Sequence, residues 1–252
     1  MADLPVLIVG DVHGDLERLF SAIKPYPAEG WHTIFLGDLV DGGPFGVGAL
    51  RYARDRPNSA ALLGNHEVLM WAALRDRAER GGGVHAWLGA GGQPHDLEEL
   101  ARDGSLQAWL RRRPAMLMLE DRTLVQHCDS DELGTLIPQS ESDPVRAIND
   151  EVCRLLAAGD TEPLITRMTS RGVFQRQPHR LQAWLRRTGA RRVVHGHTPH
   201  RNREPEIYAD GKAINFDGGM GRWGRPGAFR GGSPRGSVGP LPDQADDRPI
   251  DR

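Results

Sequence analysis

Asp11 and His13 stand two residues apart in the stretch LPVLIVGDVHGD, directly after the apolar run Val6 to Val9. A carboxylate and an imidazole at that spacing, just past a strand, can both point at one spot on the rim of a sheet. Together they are a ligand pair for a borderline divalent ion. The glycines on either side let the backbone turn sharply and let something approach closely. Four further polar groups follow apolar runs in the same way: Asp38 with Asp41, Asn65 with His66, His127, and His195 with His197. One histidine after a strand is most often a satisfied polar group; five such clusters in one chain are hard to assign to chance. Hard oxygen donors mixed with imidazoles suit manganese, iron, zinc or magnesium-like ions, and they are too many for one tetrahedral ion. Two metals sharing one carboxylate are the natural solution. Such pairs, about 3.5–4 Å apart, clamp a phosphate and activate a bridging hydroxide.

The elements that position these residues are read from apolar spacing. Val6 to Val9, His32 to Leu36 and Ala60 to Leu63 are short enough and apolar enough to be buried strands. Each runs into a motif and then into helical spacing: Asp15 to about Lys24, near Gly48 to Arg54, and from GNHE to about Arg77. This is an α/β alternation, in which sites collect at the carboxyl ends of the strands. A mostly helical insertion is expected from about Arg75 to Arg113. A hairpin follows, Met116 to Leu119 and Thr123 to Gln126, and its second strand ends at His127. Helices are expected around Val145 to Leu156 and Leu181 to Leu185, and a strand at Arg192 to Val194 runs into HGHTP. Asp210-Gly211, between Ile207–Tyr208 and Ala213–Phe216, is a type I′ hairpin signal. Residues 1–220 read as one domain. From about Gly221 to Arg252 apolar residues thin out, and a disordered tail is expected.

Composition narrows the class. A chain of 252 residues can build a large core. Its net charge of −2 argues against a general nucleic-acid or membrane-surface binder. Arg111-Arg112-Arg113 reads as a solvated helix end, because no aromatic interleaving accompanies it. Trp87, Trp109 and Trp184 read as core or lid packing. Cys128 and Cys153 lack the spacing of a disulfide framework or a zinc ribbon. No run approaches the roughly 20 apolar residues of a membrane span, and a cytoplasmic protein is expected.

The order GDVHG, GDLVDGG, GNHE, a strand-end histidine and GHTP resembles the calcineurin-like metallophosphoesterases, over residues 4 to 220. Within them it is closest to the phosphoprotein-phosphatase branch. GHTP, the helical segment around Asn149 to Leu156 and the ending INFDGGM resemble the bacterial Shewanella-like phosphatases. The symmetrical diadenosine tetraphosphatases share the core. The resemblance implies an α/β/β/α sandwich of two mixed β-sheets flanked by helices. It implies a hydrolase with two divalent ions, manganese first, with iron, zinc, magnesium or nickel as alternatives. Asp11 and His13 would bind the first ion, Asp38 would bridge, and Asn65, His127 and His197 would bind the second. Pro199 stands where many relatives carry a further histidine; His195 and His200 are expected to support the site rather than to ligate.

His66 would protonate the leaving group, with Asp41 fixing its tautomer, as in other His–Asp pairs. A plainer role for Asp41 is a cap on the following helix. Arg171 and Asn65 would contact the substrate phosphate. One departure stands out: the resemblance calls for a phosphate-gripping Arg where this chain has Gly42. The expected substrate is a phosphorylated protein or a small phosphoester, with neither nucleic acid nor membrane as partner. The implied activity is a Ser/Thr or Tyr phosphatase. A diadenosine tetraphosphatase is the alternative, and a weakly active scaffold the remote one.

Overall fold

A computed structural model describes residues 4–77, 82–202 and 204–220. The expected tail at 221–252 and residues 78–81 of the expected insertion lie outside the described residues. In chain order the first half contains β1 (Val6–Val9), α1 (Leu16–Ile23), β2 (His32–Phe35), α2 (Gly46–Asp55), β3 (Ser59–Ala61) and α3 (Asn65–Asp76). Helices α4 (Gly82–Gly89), α5 (Pro94–Arg102) and α6 (Gly104–Arg111) follow. The second half adds β4 (Met116–Met118), β5 (Thr123–Gln126), a 3-10 turn at Glu132–Leu136, α7 (Pro144–Ala158), α8 (Glu162–Met168), α9 (Val173–Arg176) and α10 (Pro178–Thr188). It closes with β6 (Arg192–His195), β7 (Glu206–Tyr208) and β8 (Ala213–Asn215).

The strands form two sheets. The smaller has the order β1-β2-β3 and is parallel throughout, with Val6 opposite His32 and Thr33 opposite Ser59. The larger has the order β4-β5-β6-β8-β7 and is mixed: β5, β6 and β8 are parallel, and β4 and β7 are antiparallel edges. Successive side chains of a strand point to opposite faces. That alternation divides the core here. Val6, Ile8, Ile34, Leu36 and Leu62 of the smaller sheet cluster with Leu117, Val125, Val194 and Phe216 of the larger. Their neighbours Leu7, Val9, Phe35, Leu124 and Val193 belong to the cluster that includes α1, α2, α3, α7 and α10 residues. One set fills the space between the sheets and the other packs helices on their outer faces, which makes the sandwich. Strands buried on both faces need continuous apolar runs, and β1 reads VLIV.

Local chemistry sets the element ends. The Asp15 carboxylate accepts from Arg18 N and caps α1, and Asp143 accepts from Arg146 N and caps α7. Helix α2 lacks a cap from its own residue Phe45. Its first amides donate instead to the buried Asp96 of α5: Gly46 N to Oδ2 at 3.1 Å and Val47 N to Oδ1 at 2.9 Å. Asp41 therefore is not the cap of α2.

The β7–β8 connection departs from the expected turn. Tyr208 pairs with Ala213, so the loop holds 209–212 rather than two residues. Ala209, Asp210 and Gly211 all have left-handed φ, of 51, 55 and 78°. Lys212 N closes this wider loop onto Ala209 O at 3.1 Å. Asp-Gly tolerates φ > 0 wherever the turn places it, so the dipeptide located the reversal and not its length.

Asp96→Ala should lower stability by about 0.5–2 kcal/mol, the usual cost of losing a helix N-cap. The midpoint of urea unfolding is the measurement, and an unchanged midpoint would contradict this account of α2.

Candidate active site

Asp38 follows β2 and is fully buried. Its backbone oxygen accepts from Val12 N and His13 N at 3.0 and 2.9 Å, which ties the β2 turn to the β1 turn. Its own amide donates to Glu67 Oε2 at 2.8 Å, and its Oδ1 accepts from His66 N at 3.0 Å. The β3–α3 turn is thereby tied to the same residue. Glu67 gathers the turn: Oε2 also takes Gly64 N at 2.8 Å, and Oε1 takes Leu39 N and Val40 N at 2.7 and 3.3 Å. A Cβ on Gly64 would fall 2.3 Å from Asp38 Oδ1, so this packing requires glycine. His13, Asp38, Asp41 and His197 all carry left-handed φ, between 49 and 67°. Each such residue costs about 1–3 kcal/mol, and clusters of them mark functional sites.

The expected ligands come together. His13 donates Nδ1–H to Val40 O at 3.2 Å, which turns Nε2 towards Asp11 Oδ2, 4.0 Å away. His197 N donates to both Asp11 oxygens, at 3.0 and 3.2 Å. His127 donates Nδ1–H to Leu36 O at 2.9 Å. Its Nε2 faces Asn65 Oδ1 at 3.0 Å and Asp38 Oδ1 at 3.3 Å; burial would lower this imidazole, but the Asp38 charge outweighs it and raises it. His197 Nδ1 lies 4.0 Å from Asp38 Oδ2, and both atoms are buried without a hydrogen-bond partner. Ligand-type atoms that converge on one small volume are what a divalent cation satisfies, and a histidine whose second nitrogen is fixed by a carbonyl is an oriented ligand. Asp11–Asp38–His127 and His13–Asp38–His66 are each close enough to share an ion. The residues present fit a pair of cations on either side of Asp38.

The electrostatics point the same way. Burial, then the Asp217 and Asp38 charges, push the Asp11 carboxyl well above its usual range. Burial and the Asp38 charge push Glu67 up to about 7. Burial opposes ionisation of Asp38 as well, but the His127 and His66 charges outweigh it and hold Asp38 well below the usual range. Burial drives the His197 imidazole down to about 4, so it is a neutral ring ready to ligate. Cations in this nest would compensate the carboxylate charge that burial makes costly.

Asp41 and His66 form a couple, with Nδ1 donating to Oδ2 at 2.8 Å. Burial would lower His66, but Asp38 and then Asp41 outweigh it and raise it to about 9. Its Nε2 faces the site, 3.9 Å from Asp38 Oδ2. The other Asp41 oxygen accepts from Trp87 Nε1 at 2.7 Å. Trp87 thus does more than the core or lid packing expected of it.

Arg171 is half-buried and reaches the site, its Nε 3.4 Å from His197 Nε2. His197 accepts there only while Nδ1 keeps its proton; committing the Nδ1 lone pair elsewhere frees the guanidinium. Asp129 holds the Arg171 turn by accepting from Gly172 N at 2.9 Å and Thr198 Oγ1 at 3.1 Å. At Gly42 an added Cβ would meet only His13, at 3.6 Å or more, but the left-handed φ of 82° would strain any side chain there. Its amide donates to Gly91 O at 2.9 Å, which places the α4–α5 loop beside this turn.

Other expectations resolve individually. His195 is buried between Gly196 O and the Tyr208 hydroxyl, and burial lowers it to about 3. His200 contacts Asn215 O at 3.2 Å. Both support the loop rather than face the ligands. The Cys128 thiol donates to Met168 O at 3.0 Å, and burial keeps it protonated, as befits a packing residue. Arg111 and Arg113 stack on Trp71 and Trp109, at 5.6 and 4.3 Å from the ring centres. They are packing cations. The sequence pointed to no part in the site for Glu67, Trp87, Asp129 or Asp217. Glu67 lies in the quoted GNHE motif and Asp217 in INFDGGM, so a signal was present for those two.

A family model described as calcineurin-like phosphoesterase matches residues 4–201. Among curated proteins, the symmetrical bis(5'-nucleosyl)-tetraphosphatase of Methylococcus capsulatus is 30% identical over 166 residues, 62% of this chain and 52% of that protein. Its counterpart from Enterobacter sp. strain 638 is 32% identical over 123 residues, 47% and 40% of the two chains. The chain spans about half the length of these relatives. Among solved structures, the cold-active protein tyrosine phosphatase of a psychrophilic Shewanella species matches with a TM-score of 0.62 and 18% identity, over 88% of this chain and 74% of that one. A putative diadenosine tetraphosphatase matches with a TM-score of 0.50 and 19% identity, over 86% and 84%. At these identities the structural likeness shows the fold.

Glu67→Gln should turn an amide donor towards backbone donors that the carboxylate now satisfies. Each unsatisfied buried group costs about 1–3 kcal/mol, so the variant should unfold at clearly lower denaturant. Stability equal to wild type would show that Glu67 does not hold the turns around Asp38.

Proposed function

The chain belongs to the calcineurin-like phosphoesterases, and from that membership we propose that it hydrolyses phosphomonoesters, with a phosphoprotein as substrate. Asp11, His13 and Asp38 would hold one divalent ion, and Asp38, Asn65, His127 and His197 the other. When bound, the ions supply charge neutralisation and a nucleophile at neutral pH. The chain's own groups do the rest. Arg171, together with the Asn65 amide, orients and neutralises phosphate oxygens, as a guanidinium fork does. His66 carries a proton on Nε2 towards the leaving oxygen, while Asp41 holds Nδ1 and so fixes the ring. The turns around Asp38 keep these groups in place before substrate arrives, which is where most of such catalysis resides.

The His66–Asp41 couple, 2.8 Å and buried, carries the choice of substrate class. A held proton donor matters most when the leaving group is a poor one, such as the alkoxide or phenoxide of a side-chain hydroxyl. It matters little when the leaving group is itself a phosphate. A dinucleoside tetraphosphate is the second reading, favoured by the 30%-identical tetraphosphatase and by the space at Gly42.

With manganese added, the wild-type chain should hydrolyse a generic aryl phosphate, and Asp38→Ala or Asn65→Ala should abolish that activity. Intact activity in either variant would overturn the site assignment. His66→Asn should lower turnover by about 10²–10⁴-fold, the usual worth of a positioned proton donor, with metal content unchanged. Side-by-side rates on a phosphoserine peptide, a phosphotyrosine peptide and a dinucleoside tetraphosphate decide the substrate. A preference for the tetraphosphate would replace the phosphoprotein reading.

A further inference from the structure

Trp87 belongs to none of the strand-end motifs. It stands on α4, 46 residues from Asp41, and is 1% exposed. A buried indole N–H usually finds a partner, most simply a neutral one. Trp71 uses Leu156 O at 3.0 Å, and Trp184 uses the Gln126 side-chain oxygen at 2.9 Å. Trp87 instead donates to the carboxylate behind His66. Asp41 is left with no free choice: Oδ1 takes the indole at 2.7 Å and Oδ2 takes His66 Nδ1 at 2.8 Å. Asp41 is fully buried, so no solvent would replace the indole as a donor.

The rest of the segment is fastened to the same turn. Gly42 N donates to Gly91 O at 2.9 Å, and His95 Nε2 donates to Pro44 O at 2.8 Å. Asp96 takes the amides of Gly46 and Val47. Gly92 lies flat against the indole: a Cβ there would sit 2.2 Å from the ring. From Trp87 to Asp96, then, the chain is tied to the turn from Asp41 to Val47. The ring is held by this loop and by its hydrogen bond to Asp41.

We propose that Trp87 is a positioning residue for proton delivery, its indole N–H locking Asp41 so that Asp41 presents one oxygen to His66 and fixes that ring towards the leaving group. The proposal rests on the reading that His66 protonates the leaving oxygen. It makes α4 part of the catalytic device, because it sets how poor a leaving group the site can expel.

Trp87→Phe removes the donor and keeps most of the ring. The test compares phenyl phosphate, a poor leaving group, with dinitrophenyl phosphate, which needs no proton. Turnover on the first should fall by about 10-fold or more, and on the second by no more than about two-fold, with KM and metal content unchanged. In a His66→Asn background Trp87→Phe should add no further loss, since the two act through one path. Gly92→Ala displaces the ring without removing its donor and should reproduce the selective loss, which covers a Trp87→Phe chain that fails to fold. Nitrogen NMR of histidine-labelled protein reads the same contact without turnover: Trp87→Phe should move the His66 Nδ1 and Nδ1–H resonances. Equal losses on both esters, a loss that persists without His66, or unmoved His66 resonances would overturn the proposal. If the wild-type chain turned over neither ester, the phosphoesterase reading would fall, and the NMR measurement would decide the role of Trp87 by itself.

Discussion

The fully buried carboxylate of Asp38, set among other buried acids, is the constraint around which this molecule is built. Asp38 has no exposure to solvent, and its Oδ2 lacks a hydrogen-bond partner. Asp11, Glu67 and Asp217 are buried nearby, and each is pushed towards its neutral form by burial and by its neighbours' charges. Such a concentration of acid inside a fold is costly unless cations join it. Stability and function therefore oppose one another here. The fold tolerates strained backbone at His13, Asp38 and His197 to aim lone pairs at one small volume. The cost is offset by the two-sheet core beneath, and it is recovered in part when that volume is filled.

The sandwich makes this possible because every proposed ligand follows a strand that is locked by burial. Strands β1, β2, β3, β5 and β6 end at one rim, and the turns after them are bonded to each other rather than only to their own strands. Asp38 joins the β1 and β3 turns, and Asp11 joins the β6 turn through the amide of His197. Leu36 O fixes His127 from across the sandwich. A shift of one turn is consequently felt at all of them.

What could be read in the chain follows from range. The proposed ligands Asp11, His13, Asp38, Asn65, His127 and His197 lie within a few residues of the apolar runs that place them, so local pattern was enough to put them on strand ends. The first three strands and their helices were legible for the same reason. Contacts between segments were not. Trp87 carries no sign that it reaches Asp41, and Asp96 none that it caps α2; both depend on how α4 and α5 pack. Glu67 was visible as a residue of GNHE, but its four amide donors come from two turns that only the fold brings together. Helices α8 and α9 are short and have little periodicity to show. The β7–β8 loop kept its Asp-Gly signal but took a longer form, because strand register, not the dipeptide, fixes loop length.

The central claim is that Asp38 sits between two cations that the chain itself selects and holds. Metal stoichiometry measures this most directly: the chain stripped with a chelator, then titrated calorimetrically with manganese or zinc. The account predicts two bound divalent ions per chain and a rise in unfolding temperature as they bind, since ligands bound only by the native state stabilise it. A single ion, or none, with no change in unfolding temperature would contradict it.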